Sequence, residues 1–356
     1  MAGNMFTEKR TGASCTPAVS VIIAIRNGEK SIPQLLSELT AQEYSGKLEF
    51  ILVDDASNDA TKILILKQTE VDQRFIYESS ANGDSLLSHK KRALDAGIKK
   101  ARHKWLLFTD ADCRLQSGWV NGMAANFNDE SDYVLGYSEV EGDGSLVTRF
   151  QSMDFFMLMT AARGAANSER AWACSGQNQA FRKSLFAKVG GYSTIAGELQ
   201  GDDSLFLQLC RKKGSARVVF ADAPECRVIA RQEKTWRSFL SQRMRWAGDA
   251  NIMWRFNRLF FISILATFLL PALLIQLLFA SVFIAPYYFT IVVKFLTLRF
   301  VLEFFHYFSG IRQFNKPIKL WDFLSWYFIQ IPYIVFMGIS SFFQSRMSWR
   351  GRGMEA

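Results

Sequence analysis

The feature that most constrains the fold is a run of 35 residues without a charged side chain, from Leu259 to Val293. About 20 apolar residues are enough to cross the hydrocarbon of a bilayer. The run is therefore long enough for one membrane span near residues 259–280 and the start of another. The second span, near residues 287–308, contains Arg299 and Glu303, which are four residues apart and can pair on a helix.

A third uncharged stretch covers residues 323–343, so residues 259–343 are predicted to form a membrane region of two or three hydrophobic segments. Basic residues border these segments, and such residues favour the cytoplasmic side of a membrane. The tail, residues 344–356, is basic and is predicted to be cytoplasmic, but three full spans would place it outside. Whether the third segment crosses the bilayer, or is interfacial or re-entrant, stays open.

Upstream, residues 19–250 have the pattern of an α/β domain. Buried strands are predicted by four short apolar runs, at residues 19–25, 49–53, 104–109 and 132–137. Segments of helical period separate these runs, and this alternation predicts a mostly parallel sheet flanked by helices. Residues 1–18 lack the apolar run of a signal peptide and are predicted to be a short lead-in.

The composition narrows the class of partners. The formal net charge of +9 fits either a nucleic-acid-binding protein or a membrane protein with basic flanks. Because basic residues border the apolar segments, the second interpretation is favoured, and we expect no nucleic acid partner. Five cysteines without a C-x-x-C pair argue against a disulfide framework and against a zinc site.

Acidic residues follow two of the predicted strands, at Asp54–Asp55 and at Asp110 and Asp112. Ligands bind beyond the carboxyl ends of the strands in sheets of this kind. Side chains at positions i and i+2 of an extended segment point the same way, so Asp110 and Asp112 converge. Their oxygen ligands suit Mg²⁺ or Mn²⁺, which also binds substrate phosphates. The alternative is a capped, solvated loop.

Two further segments have both a structural and a functional interpretation. Asp202–Asp203 precedes an apolar helical start, which suits an N-cap or a general base beside a reacting hydroxyl. Lys90 begins another helical run and either contacts phosphate or faces solvent. Neither G-x-x-x-x-G-K-[ST] nor G-x-G-x-x-G occurs in the chain, which argues against nucleoside triphosphatases and dinucleotide enzymes.

Between the α/β pattern and the membrane segments, residues 236–250 have the pattern of an amphipathic, interfacial helix. One face carries residues at i, i+3, i+4 and i+7, namely Gln242, Arg245, Trp246 and Asp249. A second face carries Trp236, Leu240, Met244 and Ala247. The first face can address a polar site while the second rests on protein or on the bilayer.

Seven segments occur in a fixed order along the chain: VSVIIAIRNGE, VDDASNDAT, KKRALDAG, FTDAD, SGQNQAFRKSLFAKVGGY, GDDSLFLQL and QRMRW. Together they resemble the inverting glycosyltransferase family 2, whose fold is called GT-A. The resemblance covers roughly residues 19–250. The sequence at Trp349–Arg352 is similar to the W-R-G-R tail of ceramide-glucosyltransferase-like members.

The resemblance implies a role for each matched residue. It implies that Asp203 is the catalytic base, and that Asp110 and Asp112 form the D-x-D motif that holds Mg²⁺ or Mn²⁺. Donor binding is implied for Asn27, Asp54, Asp55, Lys90 and Asp110. Contact with the acceptor and the diphosphate is implied for the Q-x-x-R-W residues, Gln242, Arg245 and Trp246.

The implied enzyme moves a sugar from a nucleotide-sugar, commonly a UDP-sugar, to a lipid or glycan acceptor at the membrane. We expect a multi-pass protein of the bacterial inner membrane with a cytoplasmic catalytic domain. One alternative is a processive polysaccharide synthase, although two or three C-terminal segments are few for a channel. Another is a non-catalytic scaffold on a degenerate transferase fold. The sugar, the acceptor and the oligomeric state are not predicted.

Overall fold

The computed structural model describes residues 16–198 and 200–342 of the chain. The strands of this part are β1 (Val19–Ile25), β2 (Leu48–Asp54), β3 (Phe75–Ser79), β4 (Trp105–Phe108), β5 (Arg114–Leu115), β6 (Tyr133–Gly136), β7 (Ser138–Val140), β8 (Gln179–Arg182), β9 (Val218–Ala221) and β10 (Val228–Ala230). The helices are α1 (Ile32–Thr40), α2 (Thr61–Val71), α3 (His89–Lys100), α4 (Trp119–Ala124), α5 (Leu146–Asn167), α6 (Lys183–Val189), α7 (Ser204–Gly214), α8 (Trp236–Phe256), α9 (Arg258–Phe283), α10 (Tyr287–Gln313) and α11 (Leu320–Ser340).

Seven strands form one sheet in the order β3-β2-β1-β4-β8-β6-β9, and β5, β10 and β7 form a small second sheet. In the large sheet, neighbours are parallel except at β8, which is antiparallel to both β4 and β6. Val19 of β1 stands beside Leu48 on one side and Trp105 on the other. The prediction of a mostly parallel sheet flanked by helices is confirmed.

The composition of the central strands follows from their position. β1 is buried along almost its whole length, and a strand with helices on both faces of its sheet has no solvent side. Its residues are therefore apolar in a continuous run instead of alternating. The exception is Ser20, whose hydroxyl donates a hydrogen bond to Glu49 Oε1 at 2.6 Å. Pairing these two groups removes the cost of burying them.

Three apolar cores hold the helices in place. α1, α2 and α4 pack on one face of the sheet, and α3, α6 and α7 pack on the other. The third core joins the sheet domain to the C-terminal helices, because it contains side chains of α5, α8, α10 and α11. Phe150, Phe239 and Phe323 are buried at its centre. The sheet domain and the C-terminal helices thus share a hydrophobic interface.

Two of the C-terminal helices, α9 and α11, are long and apolar enough to cross a membrane by length and composition. Side chains of α9 such as Ile262, Leu269 and Phe279 are exposed, and contiguous exposed apolar surface of this kind marks a membrane or protein contact. α10 is 27 residues long but more charged. Arg299 Nε donates to Glu303 Oε1 at 2.8 Å, which confirms the predicted pair.

Some predicted segments lie outside the described residues. They are most of the lead-in and the whole basic tail, including the sequence at Trp349–Arg352. The domain boundaries at 19–250 and 259–343 stay predictions.

Candidate active site

A polar cavity of about 370 Å³ lies at the carboxyl ends of β1, β2 and β4. Asp55 follows β2, and Asp110 and Asp112 follow β4. The start of α3, the start of α7 and the middle of α8 contribute the other predicted residues that line it, which are Lys90, Asp203, Gln242, Arg245 and Trp246. The fold therefore brings eight of the ten predicted site residues to one cavity.

Lys90 stands between two acidic segments of the polar cavity. Its Nζ lies 2.9 Å from Asp110 Oδ1 and 2.9 Å from Asp202 Oδ2. Burial opposes the charge of this lysine, but the two carboxylates outweigh burial and raise its pKa well above the ordinary value. Lys90 therefore stays protonated and positively charged, which suits contact with phosphate groups.

Asp203 is the N-cap residue of α7. Its Oδ1 accepts a hydrogen bond from the Ser204 amide, and its Oδ2 accepts one from the Gly176 amide at 3.4 Å. Burial, followed by the charge of Asp202, raises the pKa of Asp203 to about 6. The capping role does not exclude a base role, because a carboxylate offers about four acceptor positions.

The turn before the two aspartates requires a glycine. Gly201 has a φ of +98°, in the region that side chains with a Cβ rarely adopt. Asp202 and Asp203 follow Gly201 directly, so the conformation of this turn positions the backbone from which both carboxylates extend. The aspartate side chain at position 202 is long enough to reach Lys90, with Oδ2 2.9 Å from Nζ.

α8 presents its predicted polar face to the cavity. Gln242, Arg245 and Trp246 all line the cavity, and Gln242 Nε2 donates to Glu233 Oε1 at 3.5 Å. On the second predicted face, Trp236 and Leu240 are partly buried and pack against the third core. The fully buried residues of α8 are Phe239, Arg243 and Met253. The buried arginine among them was not expected.

Arg243 is held by Asp154 of α5, with Nη2 3.0 Å from Oδ2. Its guanidinium lies over the Trp246 ring, 4.1 Å from the ring centroid. Trp326 of α11 donates its indole N–H to Asp154 Oδ1 at 3.4 Å. One buried ion pair therefore links a cavity-lining tryptophan to a helix that is apolar enough to cross a membrane. Sequence reasoning missed it because arginine on an amphipathic helix is ordinarily solvated.

Asn27 and Asp54 are the two predicted residues that do not line the cavity. Asn27 Oδ1 accepts a hydrogen bond from the Asn58 amide at 3.0 Å, and Asp54 Oδ1 accepts one from the Ser57 amide at 3.0 Å. Both side chains brace the loops that follow β1 and β2. Their predicted contact with the donor stays a prediction.

The cavity-lining residues that were not predicted include Arg26, His89, Gln200 and Glu233. A signal for the first of them exists, since Arg26 directly follows the first predicted strand. The rule that ligands bind at strand exits therefore points to Arg26 as much as to the acidic residues. The other three belong to turns or to a helix start and follow no such rule.

The fit of a divalent cation rests on two carboxylates. Among the residues that the structure describes, no group of three His, Cys, Asp or Glu side chains has metal-binding geometry. Asp110 and Asp112 both line the cavity, and a small hard cation often takes one or two protein carboxylates plus water and substrate phosphates. Lys90 already contacts Asp110 Oδ1. Two carboxylates in one polar cavity are groups of the type that Mg²⁺ or Mn²⁺ binds, and the assignment of Asp110 and Asp112 as ligands stays a prediction.

A second, mostly apolar cavity of about 330 Å³ adjoins the polar one. The two cavities share the lining residues Ser175, Gln200, Asp203 and Trp246. The walls of the apolar cavity come from α5, α8 and the first turns of α9, with Phe155, Met159, Met253, Phe260 and Ile264 among them. The apolar cavity thus extends from Asp203 toward a candidate membrane helix.

Comparison with known proteins agrees with this architecture. The chain is 25% identical over 239 residues to poly-beta-1,6-N-acetyl-D-glucosamine synthase of Staphylococcus aureus. The aligned region covers 64% of this chain and 53% of that protein. The chain therefore spans about half the length of this relative. The fold of the present chain is similar to that of mannosyltransferase PcManGT from Pyrobaculum calidifontis, which was solved with GDP-Man and Mn²⁺. The TM-score is 0.53 and the identity 17%, over 91% of this chain and 88% of that chain.

The family itself is given by a match over almost the whole sequence. The family model described as glycosyl transferase family 21 matches residues 2–356. The prediction of a glycosyltransferase with a GT-A-like fold is confirmed, although the resemblance was to family 2 and the matched model is that of family 21. The chain is a glycosyltransferase and belongs to glycosyl transferase family 21.

Proposed function

We propose that this glycosyltransferase moves a sugar from a nucleotide-sugar to a lipid acceptor drawn from the membrane, with inversion at the sugar. The observation that carries the proposal is the junction of the polar and apolar cavities at Asp203 and Trp246. A charged donor and an apolar acceptor can meet there, on either side of one carboxylate.

Asp203 is the base in this proposal. An acceptor hydroxyl has a pKa far above 7, so its proton has to leave as the glycosidic bond forms. Asp203 takes that proton while the hydroxyl oxygen bonds to the anomeric carbon. The bond from that carbon to the diphosphate oxygen breaks in the same step. Attack from the face opposite the diphosphate inverts the configuration and needs no covalent intermediate.

The donor occupies the polar cavity. Lys90 and Arg245 line it and counter the negative charge that develops on the departing diphosphate. Asp112 and Asp110 would hold a divalent cation, which would neutralise part of the same charge when bound. Asp55 contacts the nucleoside, and the donor is a UDP-sugar by the resemblance. The mannosyltransferase of similar fold, which is solved with GDP-Man and Mn²⁺, supports a nucleotide-sugar and a metal.

The apolar cavity holds the chain of the acceptor. Its described lining residues include two carboxylates, Asp203 and Asp249, and no Lys, Arg or His. Such a lining suits a hydrocarbon chain with an uncharged hydroxyl head and disfavours a lipid phosphate. Phe260 and Ile264 belong to α9, so the chain can enter directly from the bilayer. We place the transfer at the cytoplasmic face, where basic flanks favour the sheet domain.

A processive polysaccharide synthase is the second candidate, because the relative in Staphylococcus aureus is a poly-beta-1,6-N-acetyl-D-glucosamine synthase. The two candidates differ in product. A lipid glycosyltransferase attaches one sugar and releases the product, whereas a synthase extends one chain many times. Mass spectrometry of the product separates them: a single added sugar on a lipid supports the first, and a ladder of polymer lengths supports the second.

Gly176 leaves room for the charged cluster of the donor site. A Cβ at this position would lie 3.3 Å from both Asp202 Oδ2 and Lys90 Nζ. We expect Gly176→Ala to raise the KM for the donor about tenfold, because small displacements of positioning groups are costly. Steady-state kinetics measures this. Gly164→Ala is the control, since a Cβ there meets nothing within 4 Å. An unchanged donor KM in folded Gly176→Ala protein would contradict the expectation.

The pKa of Asp203, about 6, predicts the pH dependence of transfer. The base has to be ionised, so kcat/KM should fall about tenfold per pH unit below that pKa and level off above it. A profile from pH 5 to pH 8 at saturating Mn²⁺ measures this inflection. The residual activity of Asp203→Asn should lack it. A wild-type profile without an inflection near pH 6 would remove Asp203 as the titrating base.

One experiment tests the proposed function as a whole. Detergent-solubilised protein is incubated with Mn²⁺ or Mg²⁺ and a panel of labelled UDP- and GDP-sugars, with and without membrane lipid extract. We expect lipid to accelerate release of the nucleoside diphosphate, and the label to move into the organic phase. Release that no lipid accelerates would overturn the lipid acceptor. Absence of both release and binding with every donor would overturn the nucleotide-sugar.

A further inference from the structure

An open groove of basic and aromatic residues lies where α7 meets the junction of α8 and α9, and no step of the proposed reaction uses it. We call it the junction groove. Its lining residues are Lys212, Trp254, Arg255, Phe256, Asn257 and Arg258. Three of the six carry a positive charge and none is a carboxylate. A concave surface lined by charges of one sign concentrates ions of the opposite sign, so the junction groove attracts anions.

Asn257 holds the frame of the junction groove. Its Nδ2 donates to Gln208 Oε1 of α7 at 2.8 Å, and its Oδ1 accepts a hydrogen bond from the Phe260 amide at 3.0 Å. Lys212 Nζ donates to the backbone carbonyl of Arg255 at 3.4 Å. Three helices are therefore tied together at this point, and the three cations extend from backbone positions that are fixed relative to one another.

The cations of the junction groove keep most of their capacity to bind an anion. Arg255 Nη1 lies 3.6 Å from Glu198 Oε1, but the arginine side chain is 57% exposed, and exposed pairs of this kind are weak. Lys212 contacts only a carbonyl oxygen among the described residues. No ion pair or side-chain hydrogen bond joins Arg258 to any residue that the structure describes. An anion in the groove would thus meet three donors at once.

The position of α9 places the junction groove at the surface of a bilayer. α9 has 26 residues, which gives a length of about 39 Å, whereas the hydrocarbon of a bilayer is about 30 Å thick. If α9 crosses, its end turns lie among the lipid headgroups. Trp254, four residues before Arg258, is exposed, and the Arg255 guanidinium lies 5.6 Å from its ring centroid. Tryptophan and basic side chains are both enriched at headgroup level.

The two ends of α9 differ in charge. Arg255 and Arg258 stand at its start, whereas no charged residue occurs from Leu259 to Val293, so the turn between α9 and α10 has none. Basic residues prefer the cytoplasmic side of a membrane, and anionic lipids of that leaflet attract basic segments beside a membrane helix. The junction groove therefore lies at the end of α9 where an anionic headgroup is available.

We propose that the junction groove binds the headgroup phosphate of an anionic phospholipid, with Lys212, Arg255 and Arg258 as its ligands. The lipid is a bound neighbour and not a substrate, and none of its bonds changes. A zwitterionic phospholipid binds less well, because its own ammonium group opposes the three cations. The proposal rests on the membrane association of α9 in the proposed function, and it is independent of the sugar and of the acceptor.

The headgroup is also placed to orient the catalytic helix. α8 carries Gln242, Arg245 and Trp246 in its middle and Arg255 in its last turn. A phosphate held by Arg255 and by Arg258 of the next helix fixes the end of α8 at the surface of the bilayer. The lipid thereby sets the orientation of the polar cavity relative to the membrane.

The test is native mass spectrometry of the full-length, detergent-solubilised protein with phosphatidylglycerol and phosphatidylcholine of equal chain length. A basic residue near an anionic lipid contributes about fivefold in affinity. We therefore expect the wild-type protein to bind the first phosphatidylglycerol at least tenfold more tightly than phosphatidylcholine. Arg258→Gln alone should reduce this preference about fivefold. Equal affinity of the wild-type protein for the two lipids would overturn the proposal.

Multiple variants separate the groove from general surface charge. Replacing Lys212, Arg255 and Arg258 together by glutamine should reduce the preference to less than twofold. The charge-conserving variant, Lys212→Arg with Arg255→Lys and Arg258→Lys, should keep most of it and reports on folding. The matched control loses the same charge through glutamine at three exposed lysines of the sheet domain, Lys30, Lys47 and Lys67. A control that loses as much preference as the groove variant would show non-specific attraction and overturn the proposal.

Two further arms identify the source of the phosphate and keep the two proposals apart. Inorganic phosphate at millimolar concentration should leave the bound phosphatidylglycerol in place, because it lacks the acyl chains that lie beside α9. Displacement by inorganic phosphate would identify a soluble anion as the ligand and overturn the proposal. Release of nucleoside diphosphate is measured on the same samples. A lipid preference that depends on the groove, without release from any donor, would support the groove and overturn the proposed function.

Discussion

Asp203→Asn is expected to lower the rate of sugar transfer by about 10²–10⁴-fold, the usual contribution of a general base. The amide cannot take a proton from the acceptor hydroxyl. It can still cap α7, because asparagine is as good an N-cap residue as aspartate, so the hydrogen bond from the Ser204 amide survives. The expected loss is therefore in kcat, with folding and donor binding preserved.

Single-turnover kinetics and calorimetric titration with UDP measure the two quantities separately. Asp129→Asn serves as the matched control, since its side chain is fully exposed and its replacement should leave both unchanged. Asp202→Asn should affect donor binding more than kcat. The substitution removes the negative charge of the contact with Lys90, although an amide oxygen can still accept a hydrogen bond there. An Asp203→Asn protein that keeps more than a tenth of the wild-type rate would exclude Asp203 as the base.

Asp154→Leu is expected to lower the free energy of unfolding by about 3–5 kcal/mol, the usual cost of leaving one charge of a buried pair alone. Arg243 is 4% exposed in the folded protein. The guanidinium of Arg243 lies over the rings of Phe239 and Trp246, but these rings cannot replace the negative charge of a carboxylate. Chemical unfolding of the detergent-solubilised variant measures the loss.

Removing both charges provides the decisive comparison. The double variant Asp154→Leu with Arg243→Met should recover most of the lost stability, because apolar groups of similar size can replace a buried ion pair. Asp322→Asn is the control for an accessible pair. Its partner Arg149 is 39% exposed, and such pairs contribute at most about 1 kcal/mol. Equal losses for the single and double variants would show that shape, and not the unpaired charge, causes the effect.

Much of the fold could be predicted because its signals are local. The run at 19–25 is continuous and apolar since its strand is buried on both faces, and the predicted and observed bounds of β1 coincide. β8 is different. It is a strand of four residues within a polar, glycine-rich segment, and it becomes a strand by pairing with β4 and β6 on either side. Tertiary context overrides weak local propensity at such a position.

In the candidate site, too, some residues could be predicted from local sequence and others could not. Asp54 and Asp55 are neighbours of the same type, yet Asp55 lines the polar cavity while Asp54 accepts a hydrogen bond from the Ser57 amide. Successive side chains of an extended segment point in opposite directions, so only the path of the loop decides which one faces the ligand. Arg243 could not be predicted either, since its burial depends on Asp154, which is distant in sequence.

The sequence by itself determined four of the strands (β1, β2, β4 and β6), the carboxylates at the exits of two of them and the apolar C-terminal helices. Each of these depends on residues that are near one another in the chain, where period and side-chain type are visible. The tertiary structure alone decided the sheet order, the contact of Lys90 with Asp110 and Asp202, and the meeting of the two cavities at Asp203. Those contacts join distant segments, and no local pattern records which distant segments will pack together.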